Sequence, residues 1–123
     1  MKNKLVAILL IFGIIYMSCG NSDCKNSEQY KLGFKYYQSL KSNYKGKGAL
    51  VGKSLRANLI LASISGIDSK ASYGDVSVYA ASSDFYHDLK RWREWINKES
   101  CKVDLELLID KEAEVISNTK WIE

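Results

Sequence analysis

From Leu5 to Met17 the chain runs thirteen residues without a charge, after the short basic start Met1-Lys2-Asn3-Lys4. A helix of that length rises about 20 Å, whereas a bilayer core is about 30 Å thick. The run is therefore too short for a comfortable span and has the proportions of the apolar region of an export signal, with Lys2 and Lys4 on the side that stays cytoplasmic. This limits what is left to fold. Beyond Ser18 there remain 105 residues, Cys19 to Glu123, which is one domain near the lower end of what buries a self-sufficient core.

The run closes on Ser18-Cys19-Gly20, which resembles the lipobox of bacterial lipoproteins. Ser18 and Cys19 match the pattern; Tyr16 and Met17 depart from the Leu and small residue usual there. The resemblance implies a signal peptide over residues 1–18, removed once the Cys19 thiol has received diacylglycerol. A lipidated tether over 19–27 and a helical domain over 28–123 would follow. The product would be anchored by its acyl chains to a membrane of the bacterial cell envelope, facing the periplasm or the cell exterior. The alternative is plain secretion, with cleavage after Gly20. Lipidation would also resolve an odd cysteine count: with Cys19 modified, Cys24 and Cys101 remain as a pair, expected to form a disulfide, the alternative being two free thiols. There is no Cys-x-x-Cys spacing and only one histidine, so no metal site is expected.

The rest of the chain lacks proline and reads as four helices. Tyr30, Phe34, Tyr37, Leu40 and Tyr44 make the stripe of the first, capped by Asn26 or Ser27 and ended by Gly46 and Gly48. The second runs from about Ala49 to Ser65 on Val51, Leu55, Leu59 and Ala62, widened by Ile60, Ile64 and Ile67, with Gly66 as its left-handed stop. The third follows Asp84 as N-cap and carries Phe85, Leu89, Trp92 and Ile96. The fourth starts at Asp104 and uses Leu105, Leu108, Ile109, Val115 and Ile116. Between the second and third lies a long loop, Ile67 to Ser83, held down by Tyr73 and Tyr79; its alternating Val76-Ser77-Val78-Tyr79 suits a short strand, but no partner strand is evident. The expected fold is all-α, a single small domain. The segment with Gly66-Ile67-Asp68, Tyr73-Gly74-Asp75 and Asp88-Leu89-x-x-Trp92-x-x-Trp95 is similar to the glycine-rich turn and Trp-x-x-Trp helix of some small uncharacterised helical bacterial lipoproteins, which again implies an all-helical domain.

Charge is unevenly placed. Residues 29–67 hold seven bases and no acid, whereas from Asp68 onward twelve acids face eight bases. A basic face containing Lys45, Lys47, Lys53 and Arg56 would suit lipid head groups, an anionic surface polymer or an acidic protein partner, although the two halves of the chain would equally well face one another or be solvated independently. Nucleic acid is disfavoured by the export signal and by the modest net charge. Trp95, offset from the stripe of its helix, is either core or a partner contact.

Three stretches of the chain resemble catalytic patterns. Gly46 to Ser54 looks like a phosphate-binding loop, but Lys47 stands where glycine is needed and a helix precedes it. His87 beside Asp84 and Asp88 has no nucleophile elbow to serve. Glu99-Ser100 matches only a dipeptide of the helical peptidoglycan-cleaving lyases, and no acid sits in apolar surroundings that would raise its pKa. The expected function is that of a non-catalytic envelope lipoprotein, without cofactor, that binds a protein partner or an anionic surface polymer; an immunity or inhibitor role belongs to this class. The alternatives are a small envelope hydrolase using Glu99 or His87, and a structural accessory.

Overall fold

A computed structural model describes residues 24–122. The expected export signal and Cys19, the expected lipidation site, lie outside the described residues. The order of elements is α1 (Glu28–Asn43), β1 (Ala49–Leu50), α2 (Gly52–Ser65), β2 (Ser77–Val78), α3 (Ser82–Lys98), a short 3₁₀ turn (Ser100–Lys102) and α4 (Leu105–Asn118). Among the described residues no helix is long and apolar enough to cross a membrane. The expected four-helix, single-domain, mostly helical fold is what forms.

Local sequence sets most helix ends. The Ser27 hydroxyl accepts from the Tyr30 amide at 3.0 Å, and the Asp104 carboxylate from the Leu107 amide at 3.2 Å, each satisfying an orphan donor of a first turn. Gly66 adopts φ 72° and donates to the Ala62 carbonyl at 3.0 Å, the left-handed stop that a Cβ would strain. Asp84 does not cap α3. The helix starts two residues earlier, at Ser82, with Ala81 in the N-cap position, and Asp84 sits within the first turn, where its charge complements the helix dipole.

α2 is the central helix. It packs against α1, α3 and α4, so its apolar residues are not confined to one stripe: Leu55, Ala57, Ile60, Leu61 and Ile64 are all buried. Val51, expected to begin that stripe, stands outside the helix and is exposed. α1 and α3 meet closely at Gly33, where a Cβ would lie 2.9 Å from Ile96 Cγ1. Arg93 caps the same seam, its guanidinium 4.6 Å from the Phe34 ring centre and 5.2 Å from that of Tyr37. Phe85, Leu89, Trp92 and Ile96 fill the core as their spacing requires. α4 is only thinly packed: Leu108 is its one buried residue, while Ile109 and Ile116, expected in the core, are exposed. The last helix of a small bundle has few neighbours left to cover a full stripe.

The connection from α2 to α3 is not an open loop. Ser77 and Val78 pair antiparallel with Leu50 and Ala49, and Ser72 bridges Val78 on the other side. The partner strand lies in residues expected to begin the second helix. Gly46, Gly48 and Gly52, at φ 83°, 80° and 54°, turn the chain into and out of β1, so α2 cannot begin before Gly52.

Since α1 and α4 run from the Cys24 end towards the ribbon, and α2 and α3 both run back from it, the molecule has two poles about 24 Å apart, the rise of a sixteen-residue helix. At one pole the Cys24–Cys101 disulfide joins the start of α1 to the turn after α3. There the Cys24 amide also donates to the Asn97 carbonyl at 2.8 Å. Residues 24–27, expected to belong to the tether, are thereby fastened to the domain through Cys24. At the other pole sit the β1–β2 ribbon, the start of α2 and the tail Thr119–Ile122.

Candidate functional site

At the ribbon pole a groove of about 460 Å³ opens between β1, the start of α2, residues 74–77 and the tail. Leu55 lines it, and its walls include Val51, Val76 and Trp121, which are 66%, 60% and 70% exposed. Three large apolar side chains left in water around one concavity are the feature of this surface that packing does not explain. Among the described residues, Asp75 is the single charged one in the lining.

Each wall is held by identifiable bonds. The Ser54 hydroxyl accepts from the Val51 amide at 3.1 Å and donates to the Val51 carbonyl at 2.7 Å, fixing the corner between β1 and α2. Arg56 fastens the tail, its Nη2 donating to the carbonyls of Thr119 at 2.7 Å and Ile122 at 3.1 Å. Trp121 Nε1 donates to the Asn118 carbonyl at 3.0 Å, which sets the indole against the end of α4.

The wall built by residues 74–77 rests on a buried polar network. Asp88 is 0% exposed. Its Oδ2 accepts from the Tyr79 hydroxyl at 2.6 Å and from the Ser69 hydroxyl and Lys70 amide, both at 2.8 Å; its Oδ1 accepts from Arg91 at 2.8 Å. Asn58 Nδ2 donates to the Tyr79 oxygen at 2.8 Å, and the Tyr73 hydroxyl donates to Asn58 Oδ1. Burial first, and then the hydrogen bond to Asp88, push the Tyr79 phenol far above its usual range; burial does the same, less strongly, to Tyr73. Asp88 is thus a buried carboxylate that the sequence did not single out. Its lone pairs are taken by donors from the α2–α3 connection and by an arginine, an arrangement that pins a segment rather than one that offers a base to a substrate.

The residues singled out from sequence are spread over several surfaces. Lys45, Lys47 and Lys53 are exposed at the groove pole, and among the described residues none of them makes an ion pair. Arg56 is half-buried and occupied with the tail; with Lys53 and Tyr36 it also lines a smaller pocket of about 260 Å³ behind the tail. There the Tyr36 hydroxyl donates to Glu112, and burial together with that carboxylate holds the phenol well above its usual range. Trp95 is 9% exposed and lies in the core, its edge reaching a shallow depression near the disulfide pole that Glu99 also lines. Glu99 is exposed and pairs with Lys102 at 3.5 Å, while the Ser100 hydroxyl is buried and donates to the Ile96 carbonyl at 2.7 Å. His87 is exposed on the first turns of α3. Among the described residues no group of three His, Cys, Asp or Glu side chains is placed to hold a metal.

Sequence reasoning missed the groove itself. Val51 reads as the start of a helical stripe and Val76 as part of a connector. Trp121 carried a usable signal: it is a tryptophan beyond the last periodic position, in the polar tail Asn118-Thr119-Lys120. Compared with protein-family models, curated proteins and solved structures, the chain matches none.

Proposed function

We propose that this chain is a membrane-tethered, non-catalytic binding domain of the bacterial envelope, and that the groove walled by Val51, Val76 and Trp121 meets its partner. One observation carries the reading: the exposed apolar walls of one groove lie at the pole opposite Cys24, beside the exposed Lys45, Lys47 and Lys53. If Cys19 is the lipid attachment point, four residues lie between it and Cys24, and the five backbone steps reach at most about 18 Å. The disulfide pole then sits near the membrane, and the groove faces away from it, open to a partner that approaches from the periplasm or the cell exterior. An immunity or inhibitor role, in which a tethered domain meets an incoming protein, has this geometry.

The test has two arms. Metabolic labelling with palmitate marks the chain, and Cys19→Ala abolishes both the label and recovery with membranes; an unlabelled chain in the soluble fraction overturns the tether. Capture of a partner from envelope extracts is lost on Trp121→Ala and survives alanine at His87 and at Glu99. Loss of function on changing His87 or Glu99, with the fold intact, overturns the non-catalytic reading.

A further inference from the structure

We infer that the groove receives an extended acidic segment of a protein partner, with one large apolar side chain seated between Val51, Val76 and Trp121 and its flanking carboxylates met by Lys47 and Lys53. This names the occupant for the binding role proposed above and does not depend on the lipid tether.

The volume suits such an occupant. About 460 Å³ is room for one large side chain and the backbone on either side of it, within the range of sites that recognise ligands through apolar walls and a few polar groups. Walls of valine and tryptophan gain most from covering an apolar side chain, and tryptophan is prominent among the residues that dominate interface energies.

Charge decides the flanks. Three lysines are compensated, Lys31 by Glu28 at 3.2 Å, Lys35 by Glu112 at 3.5 Å and Lys102 by Glu99 at 3.5 Å. Lys53, directly after the groove residue Gly52, and Lys47, two residues before Ala49, have no such partner among the described residues. Carboxylates arriving from outside find cations already in place, with no internal ion pair to break. Asp75 separates a peptide from a uniformly anionic polymer. It lies in the groove lining, so a polymer charged at every repeat sets like charge against it, whereas a peptide presents backbone amides there and keeps its carboxylates for the lysine flank.

The experiment uses the full chain and an array of nine-residue peptides of varied composition, followed by solution titration of the best binders. Trp92 and Trp95 are buried and Trp121 is exposed, so a change in tryptophan emission on binding reports the groove. The expected result is enrichment of peptides that combine Phe, Leu or Trp with two or more carboxylates. Trp121→Ala weakens binding more than tenfold, and Lys47→Glu with Lys53→Glu about tenfold at low salt, with the loss shrinking as salt is raised. The thermal midpoints of both variants stay at the parent value. Enrichment of neutral or basic peptides overturns the inference, as does the absence of any Trp121-dependent capture. Binding of poly-glutamate as tight as that of the best peptide overturns it in favour of an anionic polymer. Self-association abolished by Trp121→Ala overturns it in favour of a second copy of the chain. Failure of palmitate labelling alongside acidic-peptide capture removes the tether and leaves this inference standing.

Discussion

At the pole of Cys24 and Cys101 the chain is fastened by a covalent bond, a backbone hydrogen bond from Cys24 to Asn97 and a side-chain bond from Gln29 to the Val103 carbonyl at 3.0 Å. At the opposite pole a two-residue ribbon and a four-residue tail are held by Ser54 and Arg56, and Val51, Val76 and Trp121 stay in water. The two ends of one small bundle have thus settled different problems. The first resists opening of the chain. The second leaves apolar surface uncovered that a chain of this size had every reason to bury. Substitutions at the first pole should therefore change stability, and those at the second should change recognition.

The largest effect expected is from the disulfide. Replacing Cys24 and Cys101 together by serine frees a loop closed across 77 residues, which in the chain-entropy model costs about 4–5 kcal/mol. The urea midpoint should fall accordingly. At temperatures where the variant remains folded, peptide binding at the far pole should be unchanged. A parallel loss of binding in the folded variant would show that the poles are coupled.

Next comes Asp88. Asp88→Ala strands the donors of Ser69, Lys70, Tyr79 and Arg91, and removing one partner of a buried ion pair costs about 3 kcal/mol, near the lower limit here because Arg91 is partly exposed. Tyr79→Phe keeps the ring and loses the hydroxyl, for about 1 kcal/mol. Buried phenols, two of them in this network, set an alkaline limit. The Tyr36, Tyr44, Tyr73 and Tyr79 phenols are all raised from 10.0 in the fold, chiefly by burial. Above about pH 10 the unfolded chain releases protons that the folded one retains, so stability is full below that pH and falls as pH rises beyond it. Unfolding midpoints measured from pH 8 to 11 should decline, and less steeply in Tyr79→Phe.

What the sequence disclosed follows the range of the interactions. Ser27, Gly66 and Asp104 act on backbone within four residues, and Phe85, Leu89, Trp92 and Ile96 repeat at helical spacing, so these could be read along the chain. The cysteine pair was legible by counting. The ribbon was not, because Ala49–Leu50 and Ser77–Val78 are each too short to show alternation and lie more than twenty residues apart. Asp88 looked like an ordinary helix-surface acid because its donors at Ser69, Lys70 and Tyr79 come from the preceding connection. The groove was hidden for the same reason: Val51, Val76 and Trp121 meet only after the ribbon has formed and Arg56 has drawn in the tail.

Arg56 tests whether the tail is part of the site. Arg56→Gln loses the bidentate hold on Thr119 and Ile122 at about 1 kcal/mol, since the side chain is only half-buried. The global midpoint moves by a few degrees. If the tail forms a wall of the groove, peptide affinity falls several-fold, and the emission of Trp121 shifts even without peptide. An unchanged affinity would assign the tail a packing role alone.

The smallest effect on stability is expected where the effect on binding is greatest. Val51, Val76 and Trp121 have most of their surface in water in the folded chain, as in the unfolded one, so exchanging any of them for serine removes little burial; each change should stay within about 0.5 kcal/mol. That is the sharpest form of the contrast between the poles. Side chains whose loss the fold does not feel, yet whose loss abolishes capture of an acidic peptide, have a role that the bundle itself cannot supply. If instead Trp121→Ser lowers the urea midpoint by as much as Tyr79→Phe does, the indole is stabilising the tail and α4, and the groove pole would be a second structural end, only more loosely built.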